Sequence, residues 1–202
     1  MMRQLSKFLS YILHPIFIPT FGTVFYFLVT PKYSPLEMQG GNFLPIFILT
    51  VIIPLGSLLI LKHLNMMRSH QLLSSEERIY TLLIYLVLLL LVLLNVIPNH
   101  YTEEIYYFFM GLSLATTSCL LLALTGRVVS LHMAGIGSLL MFMVSLSLHF
   151  EKNIVVAISL CTLACGLLAS ARLFLKVHGR ASVLTGWLIG VVSQLILIQF
   201  WL

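Results

Sequence analysis

The sequence predicts an all-α membrane protein, a polytopic helical bundle with six to seven transmembrane helices. Three observations predict it. Charged residues make up 8% of the 202 residues and hydrophobic ones 60%, whereas soluble domains carry about 25% charge. The mean hydropathy is +1.07. Seven segments, roughly 8–29, 43–62, 79–97, 104–125, 131–149, 153–173 and 183–202, reach or approach the ~20 apolar residues that a span needs. Helices pair every backbone N–H and C=O within the segment, which a lipid environment requires. The chain reads as one integral membrane domain, residues 1–202.

The first span holds His14-Pro15 and Pro19, so its early part is not a plain helix. A kinked or re-entrant piece followed by a straight span is expected, with His14 either marking that break or reaching into the bundle. The opening Met-Met-Arg-Gln-Leu-Ser-Lys resembles a signal peptide, but the apolar run is too long and has no Ala-x-Ala-like site, so a retained helix is expected. Residues 31–42 contain Pro31, Pro35 and Gly40-Gly41 and read as a loop. Residues 62–78 form a longer polar linker. Ser74 or Ser75 there is placed to cap the third span, with Glu76 and Glu77 in its first turn. Arg78 does not fit that scheme, because the helix dipole disfavours a cation at an N-terminus.

The third span is Leu-rich and expected to face lipid. Pro98-Asn99-His100 turns the chain, and Glu103 and Glu104 open the fourth span as N-terminal acids. Small residues then recur at helical spacing: Ala134, Gly135, Gly137 and Ser138 in the fifth span, Thr162, Gly166 and Ser170 in the sixth, and Gly186 and Gly190 in the seventh. Such faces let helix backbones approach closely, so spans five to seven are expected to pack as a tight group. Cys119, Cys161 and Cys165 all lie in apolar spans and read as packing residues, and no ligand cluster for a metal joins them.

Seven crossings sort the loops. Residues 62–78, 126–132 and 171–182 fall on the N-terminal side, and residues 31–42, 98–104 and 149–153 on the other. The N-terminal side carries Arg3, Lys7, Lys62, Arg68, Arg78, Arg127, Arg172, Lys176 and Arg180. The far side has only Lys32 and Lys152. The positive-inside tendency would put the cation-rich side in the cytoplasm. The net charge of +5 comes from these short loops and points to lipid headgroups or an anionic substrate rather than nucleic acid.

The basic stretch 171–182, Ala-Arg-Leu-Phe-Leu-Lys-Val-His-Gly-Arg-Ala-Ser, sits between two apolar spans. Intramembrane or membrane-edge cations and histidines are costly to place and mark function. Phosphoryl transfer from a lipid requires a nucleophile, an acid for the leaving oxygen, and cations for the remaining oxygens. Histidine serves the first two roles near neutral pH, and the planar arginine fork suits phosphate. The N-terminal side offers His132 and His178 with Arg78, Arg127 and Arg172.

Here the chain resembles a family. Arg172-x5-His178-x3-Ser182 looks like the third motif of type 2 phosphatidic acid phosphatases, Ser-Arg-x5-His-x3-Asp. Ser130-Leu131-His132 resembles their Pro-Ser-Gly-His motif, and Arg78 the arginine of Lys-x6-Arg-Pro. The resemblance covers about residues 68–190, and the phosphatase-like core would span 68–202 behind N-terminal helices 1–62. The opening Tyr11-x-x-His14-Pro15-x-x-x-Pro19-Thr20 is similar to small Bacteroidetes-type bacterial members. The resemblance implies a bacterial inner-membrane lipid phosphatase or phosphotransferase that uses no cofactor and no metal. It implies His178 as nucleophile and His132 as acid. It also implies Arg172, Arg78 and Arg127 on the phosphate, with a donor from Ser130. Ser182 stands where the family has aspartate, Ala171 where it has serine, and Gln71 where it has lysine. The chain contains no Asp at all, so Ser182 or Glu77 would have to orient His178.

Two readings remain open: an enzyme acting on a phosphorylated lipid, or a catalytically weak relative that binds an anionic headgroup or docks a membrane protein or a second copy of itself. A purely structural role for the cations, as anchors of interfacial loops, is the third.

Overall fold

The computed structural model describes residues 2–32, 36–63, 75–97 and 102–202. Gln71, Arg68, His70, Ser74, Pro35 and Pro98–His100 lie outside them, as does the side chain of Glu76.

The helices are α1 (Met2–Ile12), α2 (Ile18–Val29), α3 (Leu36–Phe47), α4 (Ile53–His63), α5 (Ser75–Asn95), α6 (Glu103–Leu124), α7 (Leu131–His149), α8 (Val155–Phe174) and α9 (Arg180–Ile198). A 3-10 turn, Pro15–Phe17, joins α1 to α2, and a π turn, Ile48–Ile52, joins α3 to α4. Among the described residues no strand is present. Seven stretches are long and apolar enough to cross a membrane, with α1–α2 and α3–α4 each forming one of them. The chain is an all-α integral membrane protein.

Proline chemistry explains both breaks. Pro15 and Pro19 have no amide hydrogen, and Pro15 begins the 3-10 turn after α1. The first span is therefore kinked. In the second, Pro54 leaves the Thr50 carbonyl without its usual donor, and Thr50 sits inside the π turn. One expectation is corrected here. The stretch 36–42 is helix, not loop: α3 runs straight through Gly40-Gly41. Two glycines cost roughly 1 kcal/mol each in a helix, which a membrane span absorbs because unpaired backbone costs more.

The core centres on α2, α6, α7 and α9. Phe108 and Phe142 stack with ring centroids 4.2 Å apart, and Phe108 lies against Gly22. Close backbone approach fixes α7 on α9. A side chain at Gly190 would collide with the Ala134 carbonyl, and one at Gly186 with the Ser130 carbonyl. Ser138 Oγ donates to the Gly190 carbonyl at 3.2 Å across the same seam. The sixth span departs from expectation. Thr162, Gly166 and Ser170 of α8 are exposed, and Gly166 has open space around it. The face of α8 that is buried carries Cys165, Leu168 and Ala171 instead. α1 packs beside α8.

The two ends of the bundle differ. At one, Arg78 of α5 reaches the Val129 carbonyl before α7 (3.2 Å), and the Ser130 amide donates to the Ser182 carbonyl of α9 (3.2 Å). Residues 78, 126–132 and 171–182 thus share a face, as the span count expects. At the other end, Lys32, Glu104, His149 and Lys152 gather.

Candidate functional site

His132 is the second residue of α7, and Ser130 is its N-cap position. The second turn of α9 presses on Ser130, because only glycine at 186 leaves room for its carbonyl. The Ser130 Oγ is consequently buried, and it has no hydrogen-bond partner. Thr20 and Thr102 share this state, whereas other buried hydroxyls are paired. Thr23, Ser113, Thr116 and Ser145 each return their hydroxyl to the carbonyl four residues back. A buried hydroxyl left unpaired costs about 1–3 kcal/mol unless something occupies it.

Arg172 lies in the last turn of α8, where a cation complements the helix dipole. Its Nε is also buried and unpartnered. The guanidinium is within electrostatic range of His14, His132, His178 and Arg78. Among the described residues both ion pairs belong to Glu104 at the far end, and neither involves Arg78 or Arg172. Two guanidiniums thus repel one another beside an orphaned Nε and an orphaned hydroxyl. Such a centre attracts an anion, and the arginine fork suits a tetrahedral oxyanion.

His178 lies in the turn between α8 and α9. Its Nδ1 is 3.0 Å from Ser182 Oγ, one helical turn on. The serine oxygen accepts when Nδ1 carries the proton, which leaves Nε2 with a free lone pair. Burial, then the Arg172 and Arg78 guanidiniums, push the His178 imidazole down to about 4. It is therefore neutral at pH 7 and able to act as a nucleophile.

One residue expected at the site is not in this group. Arg127 is exposed. α6 ends in a Schellman turn, with Gly126 at φ 76° and the Arg127 amide returning to the Leu122 carbonyl (2.9 Å). That turn carries residue 127 outward. Glu77 is buried in the first turn of α5, and His178 Nδ1 is held by Ser182.

One residue joins that the motif spacing did not indicate. The rings of His14 and His132 meet edge to face at 5.0 Å. The sequence signal for it was the His-Pro pair at a span break. The far-end cluster was also missed. Glu104 is 1% exposed and binds Lys32 Nζ at 2.6 Å, Tyr26 OH at 3.1 Å and His149 Nε2 at 3.2 Å. It reads in sequence as a helix-opening acid, and its partners are 45 to 78 residues away along the chain.

Among the described residues no group of three His, Cys, Asp or Glu side chains is spaced to hold a metal ion. Compared with protein-family models, with curated proteins and with solved structures, the chain finds no match.

Proposed function

We propose that the chain is a membrane-embedded lipid phosphatase or phosphotransferase whose phosphate site is formed by Arg78, Arg172, Ser130, His132 and His178. The observation that carries this reading is the pair of arginines, which take part in neither ion pair among the described residues, set around a neutral His178 whose Nδ1 is tied to Ser182. The resemblance of Arg172-x5-His178 and Ser130-x-His132 to the phosphatidic acid phosphatase motifs points the same way.

The chemistry follows from these groups. Arg78, Arg172 and the Ser130 hydroxyl bind the non-reacting phosphate oxygens and the charge that grows on them. The His178 Nε2 lone pair attacks phosphorus, and the bond from phosphorus to the lipid oxygen breaks. His132 gives its proton to that oxygen, so a lipid alcohol leaves and a phosphohistidine remains. Water, giving its proton to His132, then attacks phosphorus, and the electron pair of the P–N bond returns to His178. Transfer to a second alcohol in place of water makes the same step a phosphotransfer.

A second reading rests on one residue. Ser182 is neutral, and it cannot offset the positive charge that His178 gains as a phosphohistidine forms. That favours a protein that grips a lipid phosphate and turns it over slowly or not at all. The cation bias of this end supports a site facing the cytoplasm of a bacterial inner membrane.

The test is phosphate release by the purified protein in detergent from a panel of lipid phosphates, alongside His178→Ala. Release that vanishes in the variant supports the enzyme. Binding of a lipid phosphate without release supports the second reading, and neither binding nor release removes both.

A further inference from the structure

α1 stops just before His14-Pro15, and the way it stops exposes a carbonyl. The His14 amide would ordinarily donate to Ser10 four residues back. It turns instead to the Tyr11 carbonyl, at 3.3 Å, in a tightened last turn. The Ser10 carbonyl is thereby free, and it faces His132 Nε2 at 3.2 Å. A carbonyl oxygen can only accept, so the hydrogen of this bond is on Nε2 and the second ring nitrogen, Nδ1, is the one left for proton exchange. His14 adds a wall. Its ring lies edge to face on His132 at 5.0 Å, and its own Nδ1 accepts the Ile16 amide at 3.3 Å.

The turn is clamped from two sides. Tyr85 of α5 donates its hydroxyl to the Pro15 carbonyl at 3.2 Å. On α7, a side chain at Gly135 would come within 3.0 Å of Ile18 and 3.5 Å of Pro15, so glycine there lets the turn seat one turn along from His132. The sequence spacing that defines the histidine–arginine group contains nothing of α1, yet α1 and the turn supply the only hydrogen bond that the His132 ring makes among the described residues.

We propose that the break at residues 10–15 is a positioning device for the acid of the reaction: the Ser10 carbonyl and the His14 ring hold His132 so that Nδ1 delivers its proton to the leaving lipid oxygen. The inference rests on the phosphotransfer reading above. The lipid phosphate binds as its monoanion and passes its proton to the bare Nδ1; as the P–O bond breaks, that proton goes on to the alkoxide, while the Nε2 hydrogen stays on Nε2, bonded to the Ser10 carbonyl. His14 acts through His132 and touches no reacting atom.

The leaving group separates positioning from general damage. A lipid alkoxide needs its proton, whereas 4-nitrophenolate leaves without one. The wild-type protein, His14→Phe and Pro15→Ala are compared on an alkyl phosphate lipid and on 4-nitrophenyl phosphate. Pro15→Ala restores an amide that lets the helix continue and recapture the Ser10 carbonyl. In both variants kcat on the alkyl ester falls at least about tenfold, part of the 10²–10⁴ that acid–base catalysis contributes, while kcat on the aryl ester stays within about twofold and KM holds. Equal losses on both esters, or no loss on either, overturn the proposal. Without any turnover, the 15N shifts of His132 test the geometry: a protonated Nε2 and bare Nδ1 at neutral pH agree with it, and the opposite tautomer overturns it. A wild-type protein that releases phosphate from neither ester overturns the phosphotransfer reading, whatever the tautomer.

Discussion

Ser182 Oγ and His178 Nδ1 lie 3.0 Å apart across the first turn of α9. This bond fixes which nitrogen of His178 faces outward. A side-chain hydrogen bond is worth about 1 kcal/mol, so Ser182→Ala is expected to lower phosphate release about fivefold. Steady-state rates on a lipid phosphate check it, and an unchanged kcat would mean that the serine does not orient the ring.

The acid limb of activity tests the electrostatics. Burial and the two arginines hold His178 down to about 4. The pH profile of kcat/KM is therefore expected to stay flat from neutrality to about pH 5 and to fall with a midpoint near 4, because protonation removes the lone pair. Arg172→Ala removes one repelling charge and moves that midpoint upward. The same shift bears on stability. A depressed histidine binds protons in the unfolded chain first, so stability declines as pH drops from about 6.5, the ordinary histidine value, toward 4. An acid limb near 6.5 in the wild-type protein contradicts the arrangement.

Anion affinity separates the arginines. Hydrogen bonds to charged groups are worth about 1.5–3 kcal/mol, so Arg172→Ala and Arg78→Ala are expected to weaken inorganic phosphate or vanadate binding about 10- to 100-fold. Arg172→Lys does not restore it, because the ammonium lacks the planar fork. Arg127→Ala leaves binding unchanged, as its exposure requires. Calorimetric titration in detergent measures all four.

Glu104 ties the far end together. Its carboxylate holds Lys32, Tyr26 and His149, which come from the segment after α2, from α2 itself and from the end of α7. Glu104→Ala strands a lysine beside a buried site and is expected to cost about 2–4 kcal/mol, toward the lower end because Lys32 reaches solvent. Glu103→Ala, at an exposed neighbour, changes stability by less than about 0.5 kcal/mol. Thermal unfolding in detergent compares them.

The spans were legible because lipid imposes a length and an apolar composition on each one, and α7 begins and ends where hydropathy places it. The grouping of Arg78, Ser130, Arg172 and His178 on one face followed from counting crossings. The exposure of Arg127 did not, since a charge beside a motif looks the same whether a Schellman turn carries it inward or outward. His14 reached the site through a backbone break whose direction depends on α5 and α7. Glu104 carried no signal of its burial, because its three partners are remote in sequence. Gly166 shows the opposite error: small residues permit close packing but do not require it.

The most direct measurement is a search for phosphate on His178. The protein is mixed with a 32P-labelled lipid phosphate, quenched in alkali within one turnover, and mapped by mass spectrometry. An acid-labile, alkali-stable phosphoryl group is expected on His178 and is expected to be absent in His178→Ala. Phosphate released by the wild-type protein with no such intermediate, or by His178→Ala at the wild-type rate, would contradict it.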